Sequence, residues 1–225
     1  MEIFSPFLAA SPSRPFVVGQ LGQSLDGRIA TLSGDARDIG GVAGLDHLHA
    51  LRAHVDAVVV GAATILADDP QLTVRRVPGV SPARVVIDPR GRIGEGGRWL
   101  APDGARRLLI TIGGSAPAGT DEVISLERTG EGFSPKSIVN ALYERGMKRV
   151  LIEGGAITLS RFIQAGCLDR LHVVVSPLII GSGKPALELP PISTLAEALR
   201  PPTRVFHLGG SEVLFDCDLR SGEKA

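Results

Sequence analysis

Asp56-Ala57-Val58-Val59-Val60-Gly61 decides the fold class. After the leading aspartate it is an uninterrupted apolar run that stops at glycine. A strand with one face in water alternates polar and apolar residues, whereas a continuous run belongs to a strand buried on both faces, as in a helix-covered parallel sheet. Just upstream, Leu45, Leu48, Leu51 and Val55 recur at spacings of three and four, which predicts a helix over 46–55. The same alternation extends outward in both directions. Residues 16–19 read as a first strand after a proline-rich leading segment, and 84–88 and 107–112 as strands flanking a glycine-rich loop at 91–97. Ser134-Pro135 opens a helix, with Ser as N-cap and Pro first inside, and Gly146 closes it. Val150-Leu151-Ile152 is another buried strand, followed by Glu153-Gly154-Gly155 and a helix ending at Gly166; 171–176, 204–208 and 213–217 supply late strands. The expected architecture is one α/β domain over 15–220 with an extension at 1–14. Its central sheet is mostly parallel, with helices on both faces and an antiparallel edge.

Composition narrows the function. Apolar residues make up 44% of the 225 residues and aromatics 4%, so Val, Ile, Leu and Ala must build the core. Lys plus Arg equals Asp plus Glu, 24 each, which disfavours a nucleic-acid or membrane-surface partner. Cys167 and Cys217 form no CxxC pair; they read as small buried apolar residues, with neither a disulfide framework nor a zinc site. Residues 1–14 lack a signal-peptide pattern, and the longest nearly apolar stretch, 57–67, is too short to span a bilayer, so a cytoplasmic location is expected.

Several active-site patterns are absent: no GxGxxG after a strand, no GxxxxGK[ST], no GxSxG and no Cys/His/Glu deaminase signature. His47 and His49, two apart on a helix, point to different faces and read as surface or half-buried residues rather than metal ligands; no metal is expected. What remains are turns at strand ends, where open α/β sheets bind ligands. Three fit: 20–29, 61–75 and 152–156. Each taken singly also reads as ordinary structure. Ser24-Leu25-Asp26-Gly27 makes a turn, Asp68-Asp69-Pro70 a cap, and Gly154-Gly155 close helix-to-sheet packing. Glu153 is the exception, because a carboxylate ending a buried strand needs a partner.

Read together and in order, these segments resemble a known family, the C-terminal reductase half of the bifunctional riboflavin-biosynthesis protein RibD and its stand-alone relatives. The resemblance is carried by Ser24-Leu25-Asp26-Gly27-Arg28-Ile29-Ala30, Leu51-Arg52-Ala53, 56–64, Asp68-Asp69-Pro70-Gln71-Leu72-Thr73-Val74-Arg75, 84–88, Glu153-Gly154-Gly155 and Ser176-Pro177-Leu178-Ile179-Ile180-Gly181. It implies a dihydrofolate-reductase-like fold without a deaminase domain, NADPH as hydride donor and a ribosylaminopyrimidine phosphate as acceptor, reduced to its ribityl form. By position it assigns Gly22, Thr64, Asp68, Gly154, Gly155 and Ala156 to the cofactor, and Arg52, Leu72, Arg75 and Glu153 to the substrate. Arg52 and Arg75 suit phosphate as planar forks. Asp68 and Glu153 are the candidate catalytic acids, with the choice between them open. The resemblance also implies a homodimer, with 171–180 as an edge strand and interface.

Three positions depart from the family pattern. Gln20 stands where the family carries lysine, and Ala36 and Asp38 replace its serine and tryptophan, with Arg37 beside them. The cofactor site is therefore better supported than the substrate site. Two alternatives follow: a reductase of another heterocyclic or pterin-like acceptor on the same scaffold, and a nucleotide-binding paralogue without catalysis. Arg90, Arg92 and Ser115 are the loop candidates for a ribose 2′-phosphate.

Overall fold

A computed structural model of the chain describes residues 2–9, 11, 13–36, 39–130 and 132–220. Its strands are β1 (Phe16–Ser24), β2 (Arg28–Thr31), β3 (Ala57–Gly61), β4 (Ala83–Asp88), β5 (Arg107–Thr111), β6 (Glu122–Ser125), β7 (Arg149–Ile152), β8 (Arg170–Ser176), β9 (Gly183–Pro185), β10 (Thr203–Gly209) and β11 (Glu212–Asp218). The α-helices are α1 (Ser5–Leu8), α2 (Val42–Ala53), α3 (Ala62–Asp68), α4 (Pro135–Tyr143) and α5 (Ala156–Gln164). Nine strands form one sheet in the order β10-β11-β8-β1-β7-β3-β4-β5-β6. It is parallel from β8 to β6, and β11 and β10 add an antiparallel edge. The expected α/β architecture is the one observed.

The opening hexapeptide behaves as read. Val58 and Val60 enter a core on one sheet face with Leu51, Ile65, Leu72 and Trp99. Ala57 and Val59 enter the other core, with α4 and α5 side chains such as Leu142, Leu159 and Phe162. All four strand residues are inaccessible to solvent. A strand with both faces dry has no polar side to show, which is why the run is continuous.

The structure corrects several expectations. Residues 20–24, expected in a turn, continue β1, because Gln20–Ser24 pair with His172–Ser176 of β8. The turn is confined to 25–27, where Gly27 takes φ +75°. β6 and the small antiparallel ladder of β2 with β9 were not anticipated from the sequence. The segment 171–180 is no edge strand: β8 lies inside the sheet between β1 and β11, and β10 and β6 are the edges. Cys167 and Cys217 are free and only half-buried.

His47 and His49 are both buried, not surface residues. His47 Nε2 is 3.0 Å from His172 Nδ1, whose ring lies 3.2 Å through Nε2 from Asp216 Oδ1. Phe4 covers His47, with ring centroids 5.9 Å apart. Burial, with the charge of His172, lowers the pKa of His47 to about 3. His49 Nδ1 accepts the backbone N–H of Arg75 at 3.1 Å. Burial, followed by the charges of Arg52, Arg75 and Arg76, lowers its pKa to about 4. Both rings are neutral at pH 7; His49 works as an acceptor, and His47 packs and shares one hydrogen bond with His172.

Candidate active site

The central strands β1, β3 and β7 end on one cavity of about 500 Å³. Gln20, Leu21 and Gly22 of β1 and Val60 of β3 supply its wall beside Glu153-Gly154-Gly155 after β7. Thr64 and Asp68 of α3 and Gly44 and Leu48 of α2 enclose it further. This is where the carboxyl ends of strands and the N-termini of helices meet, the usual ligand position in an open α/β sheet.

The turn after β7 is built for close approach. Gly154 adopts φ +113°, and a Cβ there would stand 2.7 Å from Thr64 Oγ1. Only glycine permits both the backbone and the contact. Gly155 is the N-cap of α5 and carries no side-chain cap. The first amides of α5 therefore lack intrahelical acceptors and can hold an anion. Ala156 is buried as the first residue of that helix and does not line the cavity, so it offers its backbone alone. Gly22 does line it, with open space in front of its Cα.

Glu153 finds the partner that its position demands. Arg52 donates from Nε to Glu153 Oε1 at 2.8 Å and from Nη2 to Oε2 at 2.7 Å, both residues being buried. Arg52 Nη1 donates to the Thr73 carbonyl at 3.1 Å. Three of the five Arg52 N–H donors are thus engaged inside the protein, and the pair ties α2 to the end of β7. Arg75 is exposed, bonds Thr73 Oγ1 at 3.2 Å, and stands outside the cavity wall. Leu72 is buried in the wall at φ +57°, and Asp69, the C-cap of α3, has φ +40°. Two non-glycine residues in left-handed backbone mark a strained, over-determined loop. Asp69 Oδ1 fixes it by accepting the Arg98 N–H at 2.6 Å.

Asp68 sits at the cavity rim as the last residue of α3. Desolvation by its surroundings raises its pKa above the usual carboxylate value, and Lys184 opposes the rise. Gln20 is 8% exposed and makes no side-chain hydrogen bond among the described residues, so its amide is left to the cavity. Ala36 lines the same space, while Arg37 and Asp38 lie outside the described residues. Arg90, Arg92 and Ser115 are exposed in loops away from the cavity wall.

Sequence reading missed two contributors. Lys184 enters from β9, a strand of three residues whose pattern announces nothing. Glu212 enters from β11. Its Oε1 accepts the Gly41 N–H at 2.8 Å and the Ser176 hydroxyl at 3.1 Å, and its Oε2 accepts the Gly44 N–H at 2.9 Å. This remote carboxylate caps α2, which explains why the helix begins at Val42, four residues before the leucine spacing suggests. The Gly40-Gly41 lead-in, with no capping side chain, was the available signal.

Residues 15–205 match the RibD C-terminal domain family. The chain is 31% identical over 217 residues to the riboflavin biosynthesis protein RibD of Aquifex aeolicus, covering 93% of this chain but only 59% of that protein's length. It is 34% identical over 200 residues to the 2,5-diamino-6-ribosylamino-4(3H)-pyrimidinone 5′-phosphate reductase of Methanothermobacter thermautotrophicus, covering 83% of this chain and 90% of that one. The crystal structure of a deaminase/5-amino-6-(5-phosphoribosylamino)uracil reductase from Thermotoga maritima superposes with a TM-score of 0.77 at 30% identity, over 96% of this chain and 59% of that chain. Dihydrofolate reductase from Enterococcus faecalis, at 13% identity and a TM-score of 0.52 over 90% of this chain and 96% of that one, shares the fold. The chain belongs to the RibD C-terminal domain family, on a dihydrofolate-reductase-like fold.

Proposed function

We propose that this chain is an NADPH-dependent reductase that converts a ribosylaminopyrimidine phosphate to its ribitylamino form in riboflavin biosynthesis. The observation that carries the reading is the cavity that joins the Thr64–Gly154 contact and the open α5 amides to Glu153, Leu72 and Asp68. The archaeal relative, matched over most of its length, bears the name of that reductase. The glycine turn fits a dinucleotide: Gly154 leaves no Cβ in the way, and the amides of Gly155 and Ala156 suit a pyrophosphate. When bound, the cofactor supplies the hydride.

The chain's own residues divide the remaining work. Leu72 and Leu48 exclude water from the reacting face. Glu153, held by Arg52, presents a fixed acceptor edge for sugar hydroxyls, and Arg75 waits at the exposed approach for the substrate phosphate. Asp68 is the better placed of the two acids to carry a proton, because desolvation raises its pKa while Glu153 is locked in an ion pair. We place the enzyme in the cytoplasm as a homodimer. The apolar row Val173, Phe215 and Val205, side by side across β8, β11 and β10, offers the interface in place of an edge strand. A monomeric mass in solution would remove that last point.

Reduced-nicotinamide oxidation with the deaminated and the non-deaminated ribosylaminopyrimidine phosphates tests the reading. Turnover of either supports it, while tight NADPH binding without turnover of both moves the acceptor elsewhere. That second reading, another heterocyclic acceptor, is favoured by the uncharged Gln20 amide and Ala36 in the cavity wall.

A further inference from the structure

The charges that line the cavity among the described residues are few: Asp68, Glu153 and Lys184. Glu153 is already paired within the protein, and so is the fork of Arg52 behind it. Lys184 differs from both. It makes no hydrogen bond and no ion pair among the described residues, and its charge reaches Asp68 only at longer range. Its backbone is held, since Lys184 lies opposite Ala30 in the β2–β9 ladder. Its ammonium lies beside Gly34, where a Cβ would come within 3.3 Å of Nζ. Gly34 itself, at φ +95°, lines the cavity on the same side. The arrangement is a fixed backbone carrying an uncommitted cation, the one cation lining this cavity among the described residues.

An unpaired ammonium in a partly closed cavity gains most from an anion that lacks other strong partners there. We propose that Lys184 is a phosphate-anchoring residue of this cavity, pairing with a phosphate ester of the bound ligand. The inference rests on the reductase reading for the ligand's chemistry. Within that reading the ester comes from one of two sources, the dinucleotide or the sugar phosphate of the acceptor. Lys184 is a binding residue, so its removal weakens affinity without touching the chemical step.

The test compares the full chain with Lys184→Met and Lys184→Arg. Equilibrium binding is measured for two probes separately, NADPH and ribose 5-phosphate, at low and high salt. Turnover is followed with the phosphorylated and the dephosphorylated pyrimidine substrate. Lys184→Met is expected to weaken at least one probe roughly tenfold, as loss of a charge-assisted hydrogen bond does. Lys184→Arg should recover most of it, and the salt dependence seen with the native chain should shrink in the methionine variant. A loss confined to NADPH assigns the ester to the dinucleotide, and a loss confined to ribose 5-phosphate assigns it to the acceptor. In turnover the loss should appear in KM with kcat unchanged. Unaltered binding of both probes overturns the proposal, and so does, with NADPH binding unchanged, an equal loss for phosphorylated and dephosphorylated substrate. If the native chain reduces no pyrimidine at all, the reductase reading falls, and the two binding measurements still decide Lys184.

Discussion

Gly154 shows how one missing methyl group serves both the fold and the ligand. Its φ of +113°, and the 2.7 Å that would separate a Cβ from Thr64 Oγ1, make any side chain doubly unfavourable. Gly154→Ala should lower thermal stability and weaken NADPH binding at least ~10-fold, since the turn must open to relieve the clash. Gly155→Ala is the control: φ is −70° and a Cβ meets nothing within 4 Å, so stability should hold. A nucleotide titration with melting curves on both variants separates the two effects, and equal behaviour would contradict the account. At this scale the sequence was informative where a residue type is forced by its neighbours along the chain. Glu153 was legible because a carboxylate ending an apolar strand needs a counter-charge. Its choice of Arg52 was not, because nothing local says that α2 lies beside the end of β7.

Helix α2 is the element whose ends were hardest to read. Its leucine spacing located the body, but its start depends on Glu212, distant in sequence and brought in by the β10–β11 hairpin. There is no room for an ordinary side chain: a Cβ on Gly44 would lie 2.6 Å from Glu212 Oε1. Glu212→Ala leaves two amides and the Ser176 hydroxyl without their acceptor and should cost about 3 kcal/mol, read from the denaturant midpoint. Glu212→Gln, which keeps an acceptor oxygen, should lose clearly less. Because Gly40, Gly44 and Leu48 line the cavity, the alanine variant should also raise KM. If stability were unchanged, α2 would not depend on this cap. The strands, by contrast, were mostly readable, since continuous apolar runs declare burial on both faces. The exceptions, β2, β6 and β9, are short edge or satellite strands with too few residues to show any period.

Across the whole molecule, the buried histidines set the response to acid. His47 has its pKa lowered from 6.5 to about 3 and His49 to about 4, so the native state refuses protons that the unfolded chain accepts. Stability is therefore fully present above pH 6.5 and declines as pH falls through the window down to each native value, by up to ~1.4 kcal/mol per unit for each ring. Melting temperatures between pH 7 and 5 should fall less steeply in His47→Gln than in the native chain; parallel slopes would show that His47 is not the sensor. Fold class was legible from alternation alone, whereas the place of each strand in the sheet was not, and 171–180 was assigned to an edge when it lies inside. The reason is the order of assembly, for β1 is flanked by two strands that come far later in the chain. Phe16 finds its partner Arg149 about 130 residues downstream. On a ribosome adding roughly 5–20 residues per second, the apolar segment Phe16-Val17-Val18 waits on the order of ten seconds for either neighbour. During synthesis an inner strand of the finished sheet is thus the first of its strands to emerge and among the last to be sheltered. A nascent chain of this sequence is a natural client for a holding chaperone.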